Sequence, residues 1–533
     1  LTELAAGSPT HVVVSLKLRN ASKLAQLGRD VNDHHSPRFR KFLTPKQFLA
    51  EYAPTEAQVR AVVEHLRKNG FTNIRVAHNR LLISANGTAH AVKSSFNTTL
   101  VHFQKNDRDV FANTEPAQVP AHLGDTVLSV LGLQNVTKAH TMLQKGPRTL
   151  AKVKTQADGS GSETGHYTTE FPALYNVGDT PSGANTTVAI ITQGGVTQAT
   201  QDLNQFTSAN NLAAVNVQAV QTGDPNGDYS DDSDGEVEWD LDSQSIVGAA
   251  GGAVNQLTFY MADNSASGNT GLTQAFNQAV SDNTAKVINV SLGWCEADAN
   301  SDGTMAAEDQ IFSTAVAQGQ TFSVSTGDEG VYECNGRGMP DGSTYSISWP
   351  ASSPNVIAVG GTTLFTDENN NYVNETVWNE SVDSSGKLWA STGGFSSYEP
   401  LPSWQSSLSV SPAPSGRAVP DIAFDAAQGS GALIYSSGQV QQVGGTSLAS
   451  PIFVGLYARL QSANSNSLGF PAAAIYSAVQ STPSLVHDVV SGNNGYQGYG
   501  YNAGPGWDYT TGWGSFDISQ LAAYIQSNGG FGQ

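Results

Sequence analysis

Between residues 55 and 69 apolar side chains recur every third or fourth position. Val59, Val62, Val63 and Leu66 would share one face of a helix with 3.6 residues per turn. Thr55 and Gln58 ahead of them have capping-box spacing, and Gly70 closes the segment. Around this helix the pattern is short and β-rich at 11–18, 74–76, 81–84 and 99–103, with further helical stretches at 22–27 and 89–96. Such a mixture predicts a small α+β domain over residues 1–143. Residues 144–168 are poor in apolar side chains and rich in Lys, Gly, Ser and Thr, the composition of a linker open to proteolysis.

Beyond residue 169 the rhythm changes. Apolar runs at 187–192, 256–261, 285–292, 321–325 and 355–359 alternate with helical segments at 197–209, 236–249, 272–282 and 306–318. That alternation predicts an α/β domain over 169–533, a doubly wound parallel sheet with helices on both faces and its site at the carboxyl ends of the strands. No run of 18 apolar residues occurs, so no membrane-spanning helix is expected. The 533 residues exceed what one core holds. The chain begins at Leu1 rather than Met, so any signal peptide is expected to lie outside the sequence.

Composition adds little until charge is followed along the chain. The 54 glycines and 14% charged residues fit a loop-rich secreted protein and not a disordered one. Residues 1–158 carry 21 Lys+Arg against 11 Asp+Glu, a balance of +10, whereas residues 159–533 carry 5 against 35, a balance of −30. The basic residues are dispersed among apolar periodic segments. They therefore argue against a nucleic-acid-binding arm and for two electrostatically complementary parts.

Candidate chemistry begins at Ser447, in Gly444-Gly445-Thr446-Ser447-Leu448-Ala449-Ser450-Pro451, where a glycine turn feeds an apolar helix. A serine hydroxyl needs a neighbouring base, yet nine of the 11 histidines precede residue 150, leaving His166 and His487. A carboxylate base is the alternative, and it implies work in acid. Glu236-Val237-Glu238-Trp239-Asp240-Leu241-Asp242 opens a predicted helix on which Glu238 and Asp242 share a face. Two such carboxylates repel when ionised, which raises one pKa and lets the pair hold a proton; acids also favour a helix N-terminus for dipole reasons alone. Asp328 follows an apolar strand and opens a Gly-rich loop. Protonated, it can donate to an oxyanion; an ordinary turn Asp would sit there too. Two cysteines, Cys295 and Cys334, permit at most one internal disulfide. Residues 486–508 read as loops, in which Asp488-Val489 and Gly504-Pro505-Gly506-Trp507-Asp508 offer hard oxygen ligands suited to calcium.

Together these segments resemble the sedolisin family, the serine-carboxyl peptidases, over nearly the whole chain. The resemblance is carried by Glu238-Trp239-Asp240-Leu241-Asp242, Ser291-Leu292-Gly293-Trp294-Cys295, Gly327-Asp328-Glu329-Gly330 and Gly445-Thr446-Ser447. His35-Ser36-Pro37, Phe42-Leu43-Thr44-Pro45 and Tyr52-Ala53-Pro54-Thr55 resemble the family's activation propeptide. The resemblance implies a subtilisin-like peptidase domain behind a ferredoxin-like propeptide. It implies Ser447 as nucleophile, Glu238 as general base and acid, Asp242 orienting Glu238, and Asp328 in the oxyanion hole. One structural calcium ion is implied at Asp488, Val489, Gly504, Gly506 and Asp508. A Cys295–Cys334 disulfide, suited to a secreted protein, would brace the loop around Asp328. Protein and peptide substrates, endopeptidase action (tripeptidyl release also occurs in the family), a monomer, and a propeptide that inhibits its own chain until acid releases it by cleavage near Gly159 complete the expectation.

Three rivals stand beside it. A Ser-His-Asp hydrolase built on His487 lacks a Gly-x-Ser-x-Gly elbow, since Gly445-Thr446-Ser447-Leu448-Ala449 ends in alanine. A non-enzymatic binding protein on this scaffold predicts loss of Glu238, Asp242, Asp328 or Ser447, and all four are present. A pepsin-like reading has Asp341-Gly342-Ser343 without a second half.

Overall fold

The computed structural model describes residues 1–145, 154–156, 160–335 and 344–531; Gly159 and Asp341-Gly342-Ser343 lie outside the described residues. The N-terminal part runs β1 (Pro9–Leu16), α1 (Ala21–Val31), α2 (Pro45–Glu51), α3 (Glu56–Lys68), β2 (Thr72–Val76), β3 (Leu82–Thr88), α4 (Ala89–Phe96) and β4 (Val127–Leu131). Its antiparallel sheet has the order β2-β3-β1-β4, the ferredoxin-like arrangement. Capping starts α3 as its sequence dictates. Gln58 N–H donates to Thr55 Oγ1 at 3.1 Å, and Thr55 N–H donates to Gln58 Oε1 at 2.8 Å.

Alternation along β1 divides the packing. Val12 and Val14 face a core shared with Val62, Leu66, Ile83 and Phe96. Val13, on the opposite face, joins Leu82 and Leu131 in the large core that continues into the rest of the molecule. The second face of this sheet is therefore an interface.

The remaining chain supplies β5 (Gly183–Gln193), α5 (Thr197–Ala209), β6 (Val217–Gln221), α6 (Glu236–Ala249), β7 (Val254–Ala262), α7 (Thr270–Asp282), β8 (Val287–Val290), β9 (Leu292–Cys295), α8 (Thr304–Ala317), β10 (Thr321–Ser325), β11 (Ile357–Thr366), β12 (Ile422–Asp425), β13 (Ala432–Ser436), β14 (Gln439–Gly444) and α9 (Thr446–Ala463). Strands β12-β11-β10-β8-β5-β7-β6 pair in that order, each parallel to its neighbour. Every residue of β8 and β10 is buried, as strands covered on both faces require. From β5 the chain goes out to β6 at the edge, comes back to β7 beside β5, and then crosses to β8 on the other side of β5. This reversal opens a crevice at the carboxyl ends of the strands. The single apolar run predicted at 285–292 breaks at Ser291 into β8 and β9, so β9 leaves the main sheet and offers its edge to the crevice.

Helix α6 packs along α9. A β-carbon at Gly455 would lie 2.4 Å from Ile246 O and 2.7 Å from Ala249 Cβ. Only glycine lets the two helices cross at this separation.

Contacts between the two parts are largely apolar or neutral. A β-carbon at Gly28 of α1 would touch Val316 of α8 at 3.2 Å, and Leu43 N–H donates to Ala317 O at 2.9 Å. Asn79 and Asn277 exchange hydrogen bonds of 2.7 and 3.0 Å. Among the described residues, ion pairs cross only at Arg75–Asp224 (3.2 Å) and where His140 meets Glu329 and Glu333. Among the described residues, the charge division read from the sequence is therefore met by direct ion pairs at these few points only.

Candidate active site

Four side chains converge in the crevice, and each is 0% exposed: Ser447, Glu238, Asp242 and Asp328. Ser447 stands in the first turn of α9 behind Gly445, whose φ of +99° lies where glycine is favoured. Its Oγ donates to Glu238 Oε1 on α6. One turn further along α6, Asp242 Oδ1 accepts from Ser291 Oγ at 2.8 Å. Ser291 Oγ accepts from Asn289 Nδ2 at 2.9 Å, Asn289 Oδ1 accepts from Ser450 Oγ at 2.7 Å, and Ser450 Oγ meets Ser323 Oγ at 2.7 Å. This relay returns to α9 one turn beyond Ser447, so α6 and α9 are tied by polar groups as well as by packing. Burial, and then the Asp242 charge, hold the Glu238 carboxyl well above the usual range, and burial does the same for Asp242.

Asp328 follows β10. Its Oδ1 accepts from the N–H and the hydroxyl of Thr446, both at 2.8 Å. A β-carbon at Gly445 would lie 2.8 Å from Asp328 Oδ2 and 2.3 Å from Met142 O, so these two oxygens border one point. The disulfide Cys295–Cys334 joins the end of β9 to the short helix Glu333–Asn335 that follows the Asp328 loop.

Neither late histidine reaches the serine. His166 lies beside Phe171, its pKa pushed down to about 4 by burial. His487 stacks on Tyr372 at 4.2 Å and bonds Ser515 Oγ at 3.0 Å. Apart from Glu238, the hydrogen-bond partner of Ser447 Oγ is Ser291 O at 3.5 Å.

The crevice is filled by the chain itself. His140 and Thr141 pair antiparallel with Gly293 and Leu292 of β9, and Gln144 and Lys145 pair with Gly444 and Val443 of β14. Between them Met142 N–H donates to Ser291 O at 3.1 Å, and Ser447 N–H donates to Met142 O at 2.7 Å. Met142 is fully buried. A β-carbon at Gly293 would lie 2.6 Å from Met142 Cε, so the missing side chain makes the pocket. On the far side Gln144 Nε2 donates to Glu380 Oε2 at 2.6 Å. No periodicity marks this segment, because its two-residue strands, His140–Thr141 and Gln144–Lys145, take their partners from the crevice. Asn289 in the relay and Glu333 near His140 likewise carry no sequence signal beyond their residue types, and Glu329 is legible only as part of the Gly327-Asp328-Glu329-Gly330 motif.

Asp488 and Asp508 converge on one loop. Gly506 N–H donates to Asp488 Oδ2 at 2.7 Å, and Gly504 N–H donates to Asp508 Oδ2 at 3.2 Å. Gly506 has φ of +79°. Asp508 also accepts from the N–H groups of Thr510 and Thr511 at 3.0 and 3.1 Å, while burial pushes its pKa up to about 6. Val489 is buried. Two carboxylates on one loop are hard oxygen donors, the type that suits a hard cation.

Known proteins bear on this geometry. Residues 1–136 match the family described as pro-kumamolisin, activation domain, and residues 233–514 match the subtilase family. Sedolisin of Pseudomonas sp. (strain 101) is 70% identical over 529 residues, 99% of this chain and 89% of that protein. Xanthomonalisin of Xanthomonas sp. (strain T-22) is 49% identical over 99% of this chain and 67% of its own length. The solved structure of Pseudomonas sedolisin, a serine-carboxyl proteinase complexed with two molecules of pseudo-iodotyrostatin, shares 75% identity at a TM-score of 0.68, covering 69% of this chain and 99% of that one.

Proposed function

Because the chain belongs to the sedolisin family of serine-carboxyl peptidases and carries an activation domain, we propose that it is a secreted, acid-active endopeptidase precursor that hydrolyses peptide bonds through Ser447. The observation that carries this reading is the Ser447 Oγ–Glu238 Oε1 hydrogen bond beside a backbone carbonyl held 2.7 Å from Ser447 N. Met142 O stands in there for the carbonyl oxygen of a substrate.

Ser447 Oγ attacks the carbonyl carbon as Glu238 takes its proton and becomes neutral, with Asp242 beside it orienting the carboxyl and favouring its protonated form. The oxyanion is held by Ser447 N–H and by the protonated Asp328 carboxyl, which replaces the neutral amide donor of other serine peptidases. Glu238 returns the proton to the leaving amine, and water then hydrolyses the acyl-enzyme by the same transfers. Asp328 can donate only while protonated, and unperturbed carboxyls titrate near ~4, so activity belongs to acid solution.

Residues 1–143 act as inhibitor in this reading, residues 144–168 as the linker that is cut, and residues 169–533 as the monomeric peptidase. The segment in the crevice has the register of a substrate and presents the Met142–Leu143 bond to Ser447. Asp488, Val489, Gly504, Gly506 and Asp508 would hold one calcium ion, which would cross-link loops and take no part in the reaction.

Acidifying the purified precursor while following its mass and peptidase activity tests this. Activity should appear together with a cut within residues 144–168, and Ser447→Ala should yield neither. Peptidase activity confined to neutral pH would sink the carboxylate-base mechanism.

A further inference from the structure

With Met142 O against Ser447 N–H, Met142 occupies the position whose carbonyl is attacked, and His140 lies two residues further on the acyl side. His140 Nε2 is 2.9 Å from Glu333 Oε1 and 3.9 Å from Glu329 Oε1, and the two acid side chains are only 0% and 5% exposed. The fold pins them there. Glu333 opens a short helix whose next residue, Cys334, is bonded to Cys295. Cys295 ends β9, the strand that pairs through Gly293 with His140 itself. Backbone register and acid are therefore fixed to each other.

The surroundings have the same polarity. A cleft of about 640 Å³ separates Asp298, Glu329 and Glu333 from Lys105, Arg108 and Lys138 of the activation segment. Burial opposes a charge on His140, but the charge and hydrogen bond of Glu333, with Glu329 behind, outweigh it and push its pKa up to about 9. Carboxylates removed from water demand a partner, and a cation at this position of the bound chain supplies one.

We propose that Glu333, backed by Glu329, determines specificity at the third residue on the acyl side of the scissile bond, selecting peptides with Lys, Arg or His there over Asp or Glu. This rests on the peptidase reading given above. The activated enzyme would be assayed, at the highest pH at which it remains active, on peptides identical except for Lys, His, Ala or Glu at that residue. The Lys and His peptides should exceed the Glu peptide in kcat/KM by about tenfold or more, one desolvated charge pair. Glu333→Gln should flatten the series, and Glu333→Lys should reverse it.

Equal kcat/KM for all four peptides with wild-type enzyme would overturn the proposal, even if both variants failed to fold. Retained preference for Lys in Glu333→Lys would overturn the role of Glu333. Cleavage of none of the peptides would overturn the peptidase reading instead, so the two failures are distinguishable.

Discussion

The decisive residues are buried carboxyl groups whose neighbours set their protons. Glu238 and Asp242 sit four positions apart on α6, both raised well above the usual range by burial, and only one of the contacts that tune them is local. Ser291 comes from the break between β8 and β9, and its hydrogen bond to Asp242 Oδ1 at 2.8 Å favours the ionised form. Ser291→Ala therefore has a worked sign. Asp242 holds its proton to higher pH, the kcat–pH profile moves upward, and kcat falls by about tenfold for one lost charge-assisted bond. KM should change little, since the Ser291 carbonyl that receives the bound chain is retained. An unmoved pH profile would show that the relay only packs the site.

At the scale of elements, the local code succeeds where an element supplies its own partners. Helix α3 begins at Glu56 behind a Thr55–Gln58 capping box and buries Val59, Val62 and Leu66, much as its periodicity predicts. Helices α5 and α6 and strand β10 also match their predicted spans. Residues 140–145 and 486–508 were less legible, because their order comes from elsewhere. In the second region Asp488 and Asp508 clamp a loop that leads through Trp513 and Gly514 to β12, with Trp513 N–H donating to Asp421 O and Ala423 N–H to Gly514 O, both at 3.0 Å. A cation bridging the two carboxylates would stiffen that support by about 4 kcal/mol when present at a thousand times its dissociation constant. Chelation should lower the melting temperature of wild type by several degrees. Asp508→Asn should start lower and no longer respond. Equal melting with and without calcium would remove the ion from this loop.

For the whole molecule, folding traps carboxyl groups in their neutral form. Glu308 is pushed up to about 8 by burial, and Asp240 to about 10 by burial and then Asp202. Below pH ~4 such groups are protonated folded or unfolded and cost nothing. As pH rises past that value the unfolded chain releases protons that the fold retains, so stability declines until the folded pKa is passed. His140, raised to about 9, acts in the same direction: its contribution is complete below 6.5 and lost as pH climbs through 9. Buried His166, lowered to about 4, opposes them only below 6.5, where its contribution fades toward acid. The Ser447→Ala variant, which on the proposed mechanism cannot process itself, should therefore melt highest in mild acid and progressively lower from pH 5 to 9. Glu308→Gln should flatten part of that slope between pH 5 and 8. Melting that rises from pH 5 to 9 would contradict the balance.

The sequence by itself determined what repeats locally. Periodicity, capping residues and alternation separate a basic α+β domain from an acidic α/β one, and residue types in motifs single out Ser447, Glu238, Asp242 and Asp328. Tertiary structure decided what depends on distant pairing. It broke one apolar run at Ser291 so that β9 could bind an extended chain, and it let α6 and α9 meet at Gly455. It laid Met142 against Ser447, and it set Glu333 beside His140 through a disulfide spanning 39 residues. A linear pattern records which face a residue presents; it does not record which surface that face will meet, because that partner is fixed only when the whole chain excludes water together.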